Sequence, residues 1–156
     1  MDILFVCASN VCRSPYCEYM FRRMVENDPE LKGKIRVRSS AVLNQMKEID
    51  EKTRKSLRRE GFSDQEIDLH RPGVWYRDRD KFKDADIIIG MTRFQKFLCP
   101  FPYRKKFTTL SEAATGKYHS IPDPWLIEDM DRYYAEMDKI KGYLLQYFEK
   151  LKQKMG

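Results

Sequence analysis

The chain has 156 residues, of which 42% are hydrophobic and 35% charged, and its formal net charge is +6. That length and balance suit a single domain over residues 1–156 and exclude a disordered chain. With no run of about 18 apolar residues and no nucleic-acid motif beside the basic excess, neither a membrane nor a nucleic acid is expected as a partner.

Asp2–Val6 is a short apolar run that predicts a buried strand, and it is too short for a secretory leader. Nothing therefore points to export, and a cytoplasmic location is expected. After the following loop, Ser14-Pro15 reads as a helix N-cap with proline at the first helical position. Tyr16, Cys17, Met20, Phe21, Met24 and Val25 continue at helical spacing until Asn27-Asp28-Pro29. A second strand is predicted over 34–39, where Ile35 and Val37 alternate with charged residues. Residues 50–60 read as a helix ending at Gly61. The isoleucine-rich stretch 85–89 is the clearest strand, stopped by Gly90. A short helix follows over 92–98, and a short fourth strand over 106–110. The last helix is marked by a stripe through Tyr133, Met137, Ile140, Tyr143, Leu144, Tyr147, Phe148 and Leu151. Glu128, Asp129 and Asp131 lie near its start and Lys150, Lys152 and Lys154 near its end, which complements the helix dipole.

Strands alternating with helices predict an α/β fold whose parallel sheet is covered on both faces. Ligands in such folds bind at the carboxyl ends of the strands, where the loop after Val6 lies. The basic residues between Lys52 and Arg59, and the run Arg104-Lys105-Lys106, read as solvated surface that also draws in an anionic substrate.

The four cysteines are Cys7, Cys12, Cys17 and Cys99, three of them within eleven residues. That clustering suits neither a disulfide framework nor, without histidines nearby, a zinc site. Reduced thiols are expected, with Cys17 in the core and no metal or cofactor. The loop Cys7-Ala8-Ser9-Asn10-Val11-Cys12-Arg13-Ser14-Pro15 sits between a strand and a helix start, so its N–H groups can converge on an anion. The same donors would favour the thiolate of Cys7. Arg13, at Cys-x5-Arg spacing, has the planar fork that holds two phosphate oxygens together. Ser14 can cap the helix and donate to the thiolate, and Asn10 tolerates a left-handed backbone.

With this loop, the sequence resembles the low-molecular-weight protein tyrosine phosphatases, whose signature is a Cys-x5-Arg-Ser-Pro loop after the first strand. The resemblance runs from Asp2 to the last helix. It implies a four-stranded parallel sheet with helices on both sides, Cys7 as nucleophile and Arg13 as phosphate clamp. Ser14, Asn10, Ser39 and His70 match positions that brace the loop. Ile121-Pro122-Asp123-Pro124-Trp125 reads by itself as a rigid turn presenting one carboxylate. The resemblance makes Asp123 the general acid, and Trp125 is expected to stack on the substrate ring at the pocket rim.

The expected activity is hydrolysis of phosphotyrosine or a related aryl phosphate, on a protein or a small ester. Phosphoarginine-directed hydrolysis is an alternative, because the family includes such members. A thioredoxin-coupled arsenate reductase would need two more relay cysteines, and only Cys99 lies in a plausible region. A phosphocysteine carrier would need neither Arg13 nor Asp123, and a non-catalytic phosphopeptide module would not need the full set. Several positions depart from the family pattern: Ser9 replaces a usual glycine, Ala8 a larger residue, Gln45 a wall aromatic, and Trp125-Leu126 a common tyrosine pair. Cys12 is expected to form a reversible disulfide with oxidised Cys7, the alternative being that it packs behind the loop.

Overall fold

Along β1 (Asp2–Cys7) side chains alternate between two cores. In the computed structural model, which describes residues 1–155, Ile3 and Phe5 join one cluster while Leu4 and Val6 join the other. That is the period-2 signature of a strand buried on both faces. The sheet is wholly parallel, in the order β2-β1-β3-β4, with β2 spanning Arg36–Ala41, β3 Ile87–Gly90 and β4 Phe107–Thr109.

The larger core lies under α1 (Arg13–Glu26) and α7 (Met130–Met155), whose stripe residues Tyr133, Met137, Ile140, Leu144, Tyr147 and Leu151 are buried, while Tyr143 and Phe148 are only partly buried against the same cluster. Phe21 of α1 stacks on Tyr147 of α7 with centroids 5.4 Å apart. Truncating such a fully buried phenyl ring to alanine costs about 3–5 kcal/mol. The smaller core, on the opposite face, holds Phe82, Ile88, Cys99 and Phe107. Here the chain contributes α4 (Arg79–Asp84) and α5 (Phe94–Leu98).

Several boundaries move for identifiable reasons. The predicted strand 34–39 lies at Arg36–Ala41, because it pairs in register with β1 from Asp2↔Arg36 to Cys7↔Ala41. The strand predicted over 85–89 begins at Ile87, since Ala85 caps the preceding helix. Gly90 belongs to that strand rather than stopping it. A Cβ there would stand 2.3 Å from the Phe107 ring, so the close approach of β4 requires glycine. Thr109, read as mid-strand, accepts from Glu112 N and caps α6 (Leu110–Thr115). Helix α2 (Glu51–Arg59) is capped by Asp50, while α3 (Asp64–Ile67), α4 and α6 are too short to show an apolar period.

The chain leaves β1 for β2 on one side and later returns to β3 on the other. The strand order therefore reverses beside β1, which opens a crevice at its carboxyl end. Cys7 is the last residue of β1 and faces that crevice.

Candidate active site

The loop between β1 and α1 is fixed by backbone bonds from neighbouring segments. Val42 N donates to Cys7 O, Leu43 N to Ala8 O and Asp50 N to Val11 O, each at 3.0 Å. Asn10 is fully buried and has φ +59°, the one positive φ outside glycine among the described residues. Asparagine tolerates that left-handed backbone better than a β-branched residue does. Ser9 needs no such conformation, so a side chain fits where glycine is usual, and its hydroxyl donates to Asn44 Oδ1 at 2.6 Å.

Both ends of the Asn10 amide and its backbone carbonyl are engaged. Its Nδ2 donates to Ser14 Oγ at 2.8 Å and to Ser39 Oγ at 2.9 Å, and its Oδ1 accepts from Gly73 N at 3.0 Å. Its carbonyl lies 2.9 Å from His70 Nε2, which must donate because a carbonyl only accepts. Burial holds the His70 pKa below its usual range, while the bond to Asn10 acts in the opposite sense. The Ser39 hydroxyl in turn donates a hydrogen bond to Glu18 Oε1. Ser14 has then accepted from Asn10, and its hydroxyl hydrogen has two acceptors in reach, Cys7 Sγ at 2.9 Å and, farther off, Ser40 O at 3.4 Å, so the sulfur is the nearer partner. Ser14 N also points at that sulfur, at 3.4 Å. Two donors thus converge on the sulfur of Cys7.

This corrects the helix start. α1 begins at Arg13, and Cys12 holds the N-cap position without a side-chain cap bond. Ser14 does not cap the helix, because its hydroxyl is committed to the sulfur of Cys7 and to Asn10.

Arg13 is 4% exposed. Its Nη1 donates to Ile121 O at 2.8 Å, its Nη2 lies 3.8 Å from Asp123 Oδ2, and its buried Nε has no partner. A buried donor left open is costly unless something arrives to accept from it. Arg13 therefore also pins the start of the turn that carries Asp123. The side chain of Asp123 is half exposed, and its Oδ1 accepts from Trp125 N at 3.0 Å. The pocket is lined by Cys7, Ala8, Ser9, Val11, Cys12, Arg13, Asp123 and Trp125. Trp125, 50% exposed, is its one aromatic. Gln45 does not reach the pocket; it turns away to donate to Pro72 O at 2.8 Å.

Every residue expected in the site is therefore found at the loop or directly around it. The sequence did not single out Lys52, whose ammonium donates to Trp125 O and, at 2.9 Å, to Ile127 O. Nor did it separate Tyr133 from its apolar stripe. The Tyr133 hydroxyl meets Cys12 Sγ at 2.8 Å and Thr53 Oγ1 at 2.9 Å. Burial pushes the Cys12 thiol up to about 12. Both contacts join residues 80 or more apart in sequence, so no local pattern announces them. Cys99 is buried in the opposite core, where burial pushes it up to about 11. It is not placed to relay a disulfide from Cys7.

A larger cavity, about 760 Å³, lies near Met1, Ile87 and the end of α7, and its lining holds neither a cysteine nor a carboxylate side chain. The chemistry is concentrated in the small Cys7 pocket. The model of the family described as low molecular weight phosphotyrosine protein phosphatase matches residues 2–156. The chain belongs to this family. It is 28% identical to a protein-arginine-phosphatase of Bacillus subtilis, over 98% of each chain. The solution structure of a low molecular weight protein tyrosine phosphatase from Bacillus subtilis matches at TM-score 0.81 and 29% identity, over 98% of each chain. A mutant of the YwlE arginine phosphatase with a phosphorylated active site serine matches at TM-score 0.84 and 25% identity, over 100% of each chain. As a member of the low molecular weight phosphatase family, the protein is a cysteine-based protein phosphatase.

Proposed function

We propose that the protein hydrolyses phosphotyrosine in protein substrates through a phosphocysteine intermediate, as a metal-free enzyme acting in the cytoplasm as one domain. The observation that carries the reading is the open, buried Nε of Arg13 in the loop that directs two donors at Cys7. A phosphoryl oxygen would satisfy that Nε, and the neighbouring Nη2 can take a second oxygen in the bidentate manner.

Cys7 thiolate attacks phosphorus in line, forming the S–P bond as the P–O bond to the phenol breaks. Asp123 gives its proton to the departing oxygen. Arg13 and the loop amides from Ala8 to Arg13 hold the equatorial oxygens through the transition state. Water then attacks phosphorus, Asp123 takes its proton, and the S–P bond breaks to return the thiolate and release phosphate. Ser14 stabilises that thiolate, and Asn10, Ser39 and His70 hold Ser14 and the loop in place. Trp125 packs against the phenol ring. The phosphorylated serine of the related YwlE mutant supports a covalent transfer at the equivalent loop.

The cytoplasm is the setting in which Cys7 stays reduced. Among the described residues no helix is long and apolar enough to cross a membrane. Phosphoarginine is the second reading, favoured by the relative from Bacillus subtilis. Against it, the pocket lining offers a cationic guanidinium only one carboxylate, Asp123, which already faces Arg13.

The deciding experiment compares kcat/KM on phosphotyrosine and phosphoarginine peptides of one sequence, in chelator, with Cys7→Ser as control. Preference for phosphotyrosine, no turnover by Cys7→Ser and retained vanadate binding are expected. Faster phosphoarginine hydrolysis would overturn the substrate, and an active Cys7→Ser protein would overturn the mechanism.

A further inference from the structure

Phe94, Phe97 and Phe101 are 68%, 67% and 79% exposed. Phe94 and Phe97 lie three residues apart on α5, so they share a face. Arg104 joins the third ring to them: its Nη2 donates to Phe97 O at 2.6 Å and its guanidinium lies 5.5 Å from the centre of the Phe101 ring. The three exposed rings thus lie within one eight-residue stretch whose two parts Arg104 ties together, and exposed apolar residues grouped in this way mark interaction surfaces.

The charge around them has one sign. Residues 93–106 include Arg93, Lys96, Arg104, Lys105 and Lys106 and no acidic residue. Arg93 pairs with Glu112 at 3.2 Å. The other four have no carboxylate within 4.0 Å among the described residues. Lys96 and Lys105 are exposed, whereas Arg104 and Lys106 are tied to backbone carbonyls.

We infer that this patch docks the protein peripherally on an anionic lipid bilayer, with the phenyl rings in the boundary between headgroups and acyl chains and the basic residues against the headgroups. Rings exposed by two-thirds or more stand out from the surface instead of lining a groove. That suits insertion into a fluid phase better than fitting a folded partner. A membrane partner is not expected from the sequence, but that expectation rests on the lack of an apolar run long enough to span a bilayer, which a peripheral contact does not need. α5 leaves the carboxyl end of β3, the sheet edge that also carries the Cys7 loop, and Met91 O between them accepts from Ile121 N at 3.2 Å. Docking there would place the pocket close to phosphorylated segments at the bilayer surface.

Cosedimentation of the full chain with phosphatidylcholine vesicles, alone or mixed with phosphatidylserine, tests this without reference to catalysis. Partition onto the anionic vesicles that weakens with salt is expected. Lys96→Gln with Lys105→Gln should weaken it roughly 30-fold, from about 1 kcal/mol for each charge. Phe94→Ser, Phe97→Ser and Phe101→Ser together should weaken it at least as much, with hydrolysis of a small soluble aryl phosphate retained. If the triple variant unfolds, Phe94→Ser and Phe101→Ser singly give the reading, since both sites are exposed. No partition at low salt would overturn the inference, as would unchanged partition of the phenylalanine variants. Capture by polyglutamate but not by vesicles would assign the patch to an acidic protein and also overturn it.

Discussion

The loop from Cys7 to Ser14 and the turn from Ile121 to Ile127 meet at one pocket but are held in opposite ways. In the loop, Asn10, Ser14 and the sulfur of Cys7 are buried, and the bonds that fix them come from β2, from the loop after it and from the segment around His70 and Gly73. In the turn, Asp123 and Trp125 are half exposed. Two long cationic side chains, Arg13 on Ile121 O and Lys52 on Trp125 O and Ile127 O, tether it from outside. The difference suits the roles proposed for the two segments. Donors that stabilise a transition state must be in place beforehand, because any reorganisation would add to the barrier. A group that passes a proton out and takes one from water must remain wet.

Breaking the turn without touching the loop should separate binding from turnover. Asp123→Asn should lower kcat by roughly 10²–10⁴, the scale of a lost general acid, while vanadate affinity stays close to that of the parent. The loss should grow as the leaving group becomes more basic. A penalty independent of leaving-group pKa would remove Asp123 from proton transfer.

Asn10→Ala attacks the rigid side of the comparison. It strips donors from Ser14 and Ser39 and an acceptor from Gly73, and puts alanine at φ +59°. A stability loss of roughly 3 kcal/mol is expected, read as a fall of about 6–12 °C in Tm. Phosphate and vanadate should bind more weakly as well. Unchanged thermal unfolding would mean the network contributes little to the loop.

Lys52→Met sharpens the description of the tether. The cost in kcat should be roughly ten-fold at most, the worth of one charged hydrogen bond near solvent. Trp125 fluorescence should become easier to quench with acrylamide, and Lys52→Arg should restore part of the rate. If kcat falls while quenching stays the same, Lys52 acts by some route other than holding the turn.

The mildest effect concerns Cys12, which leaves the loop intact until it is oxidised. Peroxide should convert Cys7 to a sulfenic acid, and condensation with the Cys12 thiol should then form the disulfide and release water. Because burial pushes Cys12 up to about 12, closure should be slow near neutrality and quicken as pH rises. Mass spectrometry of peroxide-treated protein at two pH values checks this, and dithiothreitol should restore less activity to Cys12→Ser than to the parent. Equal recovery would leave Cys12 as a packing residue hydrogen-bonded to Tyr133.

Much of the site could be read because its chemistry is local in sequence. Cys7, Arg13 and Ser14 lie within eight residues, between an apolar run and a Ser-Pro pair, and Asp123 lies between two prolines. Their meeting could not be derived that way. Arg13 reaches Ile121 across 108 residues, and Tyr133 reaches Cys12 across 121. Ser14 shows the limit from the other side. Its position before proline matches a helix cap, yet a buried sulfur and a buried asparagine outbid the helix for its hydroxyl.

The amino-acid sequence by itself determined the alternation of strands and helices, the apolar stripe of α7 and the nucleophile loop, because each is a periodicity or spacing written along a few consecutive residues. Tertiary structure alone decided that Asn10 links Ser39 to Ser14, that Lys52 ties down the acid turn, that Gln45 turns away from the pocket, and that Phe94, Phe97 and Phe101 stay in water. Those outcomes depend on which distant backbone carbonyl or buried polar atom lies within hydrogen-bonding reach, and on which faces the two cores leave uncovered. Only the packed chain fixes either.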